Sequence, residues 1–124
     1  MRYDVSTNGA PQAPHILSQA VLSNGHVFVS GQIHSLPDGT LSGETVAEKL
    51  DLIMKNITSI LQAAGASLDD VIKVTVYVTD MAQMPDLNKV YPKYFSKPLP
   101  AREAISVKEL PLGATIELSV IAGV

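Results

Sequence analysis

The sequence predicts an α+β domain in which a mixed β-sheet of about six strands packs on two helices. Three observations carry that prediction. A capped apolar stripe at helical spacing lies mid-chain, runs of period-two alternation flank it, and an Asn-Gly pair separates two apolar runs near the N-terminus.

The elements follow in order. A strand near Arg2 to Val5 leads into a loop containing Gly9, Pro11 and Pro14. Ala20 to Leu22 and His26 to Ile33 are apolar runs joined by Ser23-Asn24-Gly25, and Asn-Gly tolerates the positive φ of a tight hairpin. Pro37-Asp38-Gly39-Thr40 makes a further turn. A helix is expected from Thr45 to Ala64, with Thr45 and Glu48 spaced as a capping box and Gly65 as its stop. Its stripe is Val46, Leu50, Ile53, Ile57, Ile60, Leu61 and Ala64.

Ser67 to Asp70 reads as a short capped turn before a strand over Val71 to Thr79. Alternation assigns Ile72, Val74, Val76 and Val78 to one face of that strand and Val71, Lys73, Thr75, Tyr77 and Thr79 to the other. A second helix is expected over Pro85 to Phe95, kinked or shortened by Pro92. Strands over Ala101 to Val107 and Thr115 to Ala122, joined by a turn at Pro111-Leu112-Gly113, complete the order ββ(β)αβαββ. Both helices would cover one sheet face and leave the other in need of a partner.

With 124 residues and no linker, repeat or low-complexity tract, residues 1–124 form one domain. A hydrophobic fraction of 46% against 17% charged residues is rich for so short a chain, which a buried subunit interface would explain. Nine basic and twelve acidic residues give a charge of −3 without any basic run, so the composition argues against nucleic acid as a partner. The absence of Cys excludes thiol nucleophiles, disulfides and cysteine metal sites. His15, His26 and His34 lack metal-binding spacing and read as surface or loop residues, so no metal is expected. Asn56-Ile57-Thr58 fits a glycosylation sequon but falls within the expected helix. No signal peptide or membrane span is visible, which makes the cytosol the expected compartment. Mitochondrial delivery would need a further targeting segment.

No nucleotide loop or nucleophile elbow is present, so candidate chemistry rests on polar residues at strand ends and faces. Arg102 shares its strand face with Ala104 and Ser106, giving a long cation room either to reach a carboxylate ligand or to pair with a surface acid. Glu117 interrupts the apolar run Ile116 to Ile121 and lies either on a solvent face or in a pocket with a raised pKa. Ser30-Gly31-Gln32 ends a strand where Gly31 permits close approach or a simple bend. Asn88 falls one turn into the second helix, on spacing alone a surface position.

Several blocks, in order, resemble the RidA/YjgF family, also labelled the L-PSP endoribonuclease family. They are Ser18 to Val21, Val27 to Ile33, Ala63 to Lys73, Asn88 to Tyr91 with Tyr94-Phe95, Pro100-Ala101-Arg102, and Ile116 to Leu118 with Ile121-Ala122. The resemblance implies a chorismate-mutase-like fold assembled as a homotrimer, with three pockets between subunits and no cofactor. It further implies hydrolysis of reactive 2-imino acids, 2-iminobutanoate and 2-iminopropanoate, to 2-keto acids and ammonia. Carried over by position, Arg102 would clamp the substrate carboxylate with help from the Ala104 backbone N–H, and Glu117 would activate water. Ser30, Gly31 and Asn88 would line the pocket.

Two positions depart from the family pattern. His15-Ile16-Leu17 stands where many members have Gly-Pro-Tyr, so Leu17 lacks the pocket hydroxyl and makes the mouth more apolar. Ala104 replaces a common Cys, which matters little where only the backbone is used. The alternatives are an endoribonuclease or translation inhibitor, and a non-catalytic trimer that binds small carboxylates or acts as a chaperone.

Overall fold

Asn24 and Gly25 take φ of 51° and 74° and close a two-residue hairpin between β2 (Ala20–Ser23) and β3 (His26–Ile33). The computed structural model describes residues 1–124. A short β1 (Tyr3–Val5) adds antiparallel to β2. The loop between them is tied by Gln19, a buried amide that accepts from the Thr7 N–H at 2.7 Å and donates to the carbonyls of Thr7, Ala10 and Pro11. A polar side chain with its bonds so fully used can be buried at little cost.

The expected helix is α1 (Val46–Ala63). Its capping box is formed on both sides: Glu48 N–H donates to Thr45 Oγ1 at 3.1 Å, and Thr45 N–H donates to Glu48 Oε1 at 2.9 Å. At the other end Gly65, at φ 79°, lets the Ala66 N–H return to the Leu61 carbonyl at 2.8 Å. Leu50, Ile53, Met54, Ile57, Ile60 and Leu61 are buried along one side, each contributing about 1.5–3 kcal/mol of transfer free energy. Asn56 is buried among them and donates to the Ser35 carbonyl at 2.9 Å, which removes the sequon from the surface.

β4 (Val71–Val78) departs from simple alternation. Val71 pairs with Ala122 and Lys73 with Ile121, leaving Ile72 as the extra residue of a bulge. Val71 is therefore buried and Ile72 is 50% exposed, the reverse of the alternation expected for them. The second helix is α2 (Met84–Val90), followed by a tight 3₁₀ turn over Tyr91–Tyr94. Pro92 cannot supply an amide to an α-helical ladder and crowds the preceding turn, so the helix stops short of Phe95. β5 (Ala101–Ser106) and β6 (Ile116–Gly123) follow.

The sheet order is β1-β2-β3-β6-β4-β5, with β4 and β5 parallel and every other neighbouring pair antiparallel. The helix α2 lies in the crossover that a parallel pair requires. Val27, Val29, Val74, Val76, Ile116, Leu118 and Val120 face the helices and are buried. The opposite face has no covering layer. There Tyr77, Glu117 and Ile105 form one cross-strand row, Phe28 pairs with Ile121, and Phe28, Ile72 and Ile105 stay exposed. No helix is long and apolar enough to cross a membrane.

His34, expected near the surface, is buried in the loop after β3. Its Nδ1 bonds the Ser42 carbonyl at 2.8 Å and its Nε2 receives the Thr115 N–H at 3.0 Å, which defines the neutral Nδ1–H form. Burial lowers its pKa, because the charged ring would be desolvated and Nε2–H would face Thr115 N–H. The native state thus binds fewer protons than the unfolded chain. Stability is full above the ordinary pKa of about 6.5 and declines as pH falls below it. Urea unfolding between pH 7.5 and 5 should show this decline. His34→Gln, whose amide can make both bonds without titrating, should flatten it.

Candidate functional site

Arg102 lies on β5 in register with Val74, so its side chain leaves the helix-covered face of the sheet at its edge. Its Nη1 donates to Asn88 Oδ1 on α2 at 2.8 Å, and its guanidinium stacks 4.8 Å over the Tyr91 ring centroid. The stacking is a cation–π contact worth about 0.5–1 kcal/mol at an exposed site. No carboxylate pairs with Arg102; the ion pairs are Lys55–Asp51, Lys73–Glu103 and Lys89–Asp86. Ala104 follows on the same face. Alternation from Val107, whose N–H donates to the Val78 carbonyl at 2.8 Å, leaves the Ala104 N–H on the free edge of the sheet. Arg102, Asn88 and Ala104 therefore form one group: a held guanidinium, an amide NH₂ and a backbone donor, all able to meet an anion.

Glu117 lies on β6 in register with Tyr77, on the uncovered face. It is half-buried, and desolvation raises its carboxyl pKa above the ordinary value. A Cβ built at Gly31 would overlap the Glu117 carboxylate, so the side chain lies directly over the glycine backbone. Gly31 is available there because β3 bulges between Val29 and Gln32, taking Ser30 and Gly31 out of the ladder with β6. Ser30 Oγ donates to the Ser18 carbonyl at 2.6 Å and the Ser30 N–H to the Gln19 carbonyl at 2.9 Å, leaving the hydroxyl lone pairs as acceptors. A cleft of about 160 Å³ opens beside them, lined by Leu17, Ser30, Gly31 and Leu112 among others.

The expected residues thus fall into two groups. Arg102, Asn88 and Ala104 belong to the helix-covered face, and Glu117, Gly31, Ser30 and Leu17 to the other. The sheet stands between them. Neither group lines the largest cavity, about 490 Å³ between α1 and the loop at Leu36 and Pro37.

Tyr91 was not apparent as a site residue from sequence. Its hydroxyl is the one buried side-chain polar atom without a hydrogen-bond partner, and burial raises its pKa. A tyrosine three residues after Asn88 is the signal that could have found it, since that spacing puts both on one helical face. The ring supports Arg102, whereas the hydroxyl contributes no bond. Tyr91→Phe should therefore raise stability by roughly 1 kcal/mol in urea denaturation. Gly31→Ala tests the other group. The chain should remain folded while the Glu117 side chain swings toward water, and carboxyl NMR should show its pKa falling back toward that of an ordinary glutamate.

Residues 7–124 match the family described as Endoribonuclease L-PSP. Protein MMF1, mitochondrial, of Saccharomyces cerevisiae is 40% identical over 118 residues, covering 95% of this chain and 81% of that protein. The crystal structure of yeast Mmf1 superposes with a TM-score of 0.95 at 38% identity, covering 99% of this chain and 98% of that one. The 2-iminobutanoate/2-iminopropanoate deaminase of Rattus norvegicus is 42% identical over 123 residues, covering 98% of this chain and 90% of that protein. Reactive Intermediate Deaminase A, chloroplastic, of Arabidopsis thaliana is 40% identical over 119 residues, covering 95% of this chain and 64% of that protein. The chain belongs to the Endoribonuclease L-PSP, or RidA/YjgF, family, which includes reactive-intermediate deaminases.

Proposed function

We propose that the protein hydrolyses 2-imino acids such as 2-iminobutanoate and 2-iminopropanoate to 2-keto acids and ammonia, in pockets between the subunits of a homotrimer. One observation carries this reading. A guanidinium without a carboxylate and a half-buried carboxylate without a cation lie on opposite faces of one sheet. Each face lacks what the other holds, and packing the uncovered face of one copy against the edge of the next would unite them. The rat relative's name supports the substrate class.

In such a pocket Arg102 binds the substrate carboxylate through two parallel N–H bonds, with the Ala104 N–H as a further donor. Asn88 Oδ1 is occupied by Arg102, which leaves its NH₂ to donate. Glu117 accepts a proton from water as the water oxygen attacks the imine carbon. It returns that proton to nitrogen to give a carbinolamine, then takes the carbinol O–H proton and passes it to nitrogen as the C=O bond forms and the C–N bond breaks, giving the keto acid and ammonia. Ser30 can only accept, because its proton is committed to Ser18, and an acceptor beside Gly31 orients a water hydrogen. Positioning contributes most of the acceleration, since the imine is already electrophilic. A carboxylate of raised pKa is the stronger base, at the cost of losing its charge at a higher pH.

The endoribonuclease label carries over poorly to these side chains. His34 is buried with both nitrogens bonded, His26 bonds the Asn24 carbonyl at the hairpin, and His15 does not line the cleft beside Ser30. The cytosol is part of the same proposal, although relatives named mitochondrial and chloroplastic show that the family is not confined to it.

The test measures keto-acid formation from freshly generated 2-imino acids. The native protein should accelerate it, with kcat/KM falling on the acid side through a pKa above 4.5. Arg102→Ala should lose roughly tenfold to a hundredfold, the worth of a charge-assisted bond. Glu117→Gln should lose the pH dependence. Refolding these two variants together should restore part of the activity if each pocket takes Arg102 from one subunit and Glu117 from the next. Full activity in Arg102→Ala would sink the assignment, and no recovery on mixing would sink the shared pocket.

A further inference from the structure

Leu112 has φ 59° and ψ 18°, a left-handed conformation disfavoured for a branched side chain, and it is 73% exposed. A residue that strains its backbone and buries little of itself gains nothing for folding, and such outliers gather at ligand sites. Leu112 lines the cleft beside Ser30 and Gly31, and Leu17, itself an exposed leucine, lines it too. Pro11, Ala13 and Ile33 complete an apolar lining that includes no charged residue.

Three side-chain donors at the cleft are already committed. Ser30 Oγ donates to Ser18, Gln32 Nε2 donates to the Ser30 carbonyl at 3.0 Å, and Gln12 Nε2 donates to the Thr7 carbonyl at 2.7 Å. A carboxylate entering here would lose water and meet committed donors, and a hydroxyl would lose water and find little besides the Ser30 acceptor. The cleft measures about 160 Å³, close to the roughly 150 Å³ that holds a benzene ring in an apolar cavity.

Building on the deaminase reading, we infer that Leu17 and Leu112 form an apolar wall selecting 2-imino acids with extended aliphatic side chains. 2-Iminopropanoate and 2-iminobutanoate remain substrates but are turned over less efficiently than longer aliphatic imines, and hydroxylated and acidic imines are disfavoured. Glu117 lies over Gly31, and Gly31 lines the cleft with Leu17 and Leu112, so an imine carbon attacked by water on Glu117 would have its substituent within reach of the two leucines.

Imines generated from alanine, norvaline, leucine, serine and glutamate would be compared in kcat/KM. The expected gain is roughly threefold for each added methylene, so the leucine-derived imine exceeds the alanine-derived one by about thirtyfold. The serine- and glutamate-derived imines should fall at or below alanine's. Leu112→Gly, which also relieves the backbone, should lower the leucine-to-alanine ratio by roughly fivefold or more, as should Leu17→Ser. A flat series, or preference for the acidic imine, overturns the inference. So does an unchanged ratio in Leu112→Gly accompanied by loss of the assembly, which would assign the leucines to a subunit contact. Calorimetry with pyruvate and 4-methyl-2-oxopentanoate separates this inference from the reaction. Tighter binding of the larger keto acid, lost in Leu112→Gly, supports the wall even if no imine is turned over, whereas equal binding removes it.

Discussion

A six-stranded sheet with both helices on one side has a face without a layer, and the rest of this molecule is organised around that constraint. The helices bury Val74, Val76, Ile116 and Leu118, while the other face keeps Phe28, Ile72 and Ile105 in solvent. Apolar area returns about 25 cal/mol per Å² when it leaves water, so such a face favours a partner of similar shape. The strand β5 adds to the pressure. It pairs only with β4 and offers a free edge, which an isolated chain protects poorly. A second copy is the proposed answer to both demands, and it is also what would complete the chemistry.

The site is built by local breaks in regular structure. A bulge in β3 frees Ser30 and Gly31 from the ladder, and the missing side chain at Gly31 gives the Glu117 carboxylate room over the backbone. Pro92 ends α2, and the tight turn that follows begins with the tyrosine whose ring lies under Arg102. Gln19 spends its amide on loop carbonyls, holding the N-terminal segment that leads to Leu17. These features fix the direction of functional side chains more than they add to stability.

Features set by short-range chemistry were legible in the sequence. The Asn24-Gly25 hairpin, the Thr45–Glu48 box, the Gly65 stop and the shortening at Pro92 depend on residues within a few positions of one another. Short contiguous blocks such as Val27 to Ile33 and Pro100-Ala101-Arg102 carried the family resemblance in the same way. Long-range pairing was not legible. Ile72 and Val71 exchanged places because register against β6 introduced a bulge. His34 is buried because its ring meets an amide 81 residues away, at Thr115. The division of Arg102 from Glu117 is of the same kind, since which face a strand residue occupies depends on where its partners start.

That division has a thermodynamic consequence. Desolvation makes ionised Glu117 unfavourable in the single chain, because no cation is near to offset it. Arg102 meanwhile holds only a neutral amide and an aromatic face. On the proposed reading, a ligand carboxylate on Arg102 and a water held by Glu117 join the two subunits through one small molecule. A ligand that contacts both subunits binds the assembly better than the separated chains, so by mass action it stabilises that assembly, and assembly tightens its binding by the same factor. Reactivity is then confined to the complete oligomer. An isolated chain retains the carboxylate clamp and the base, on opposite sides of a sheet too thick for one imine to reach both.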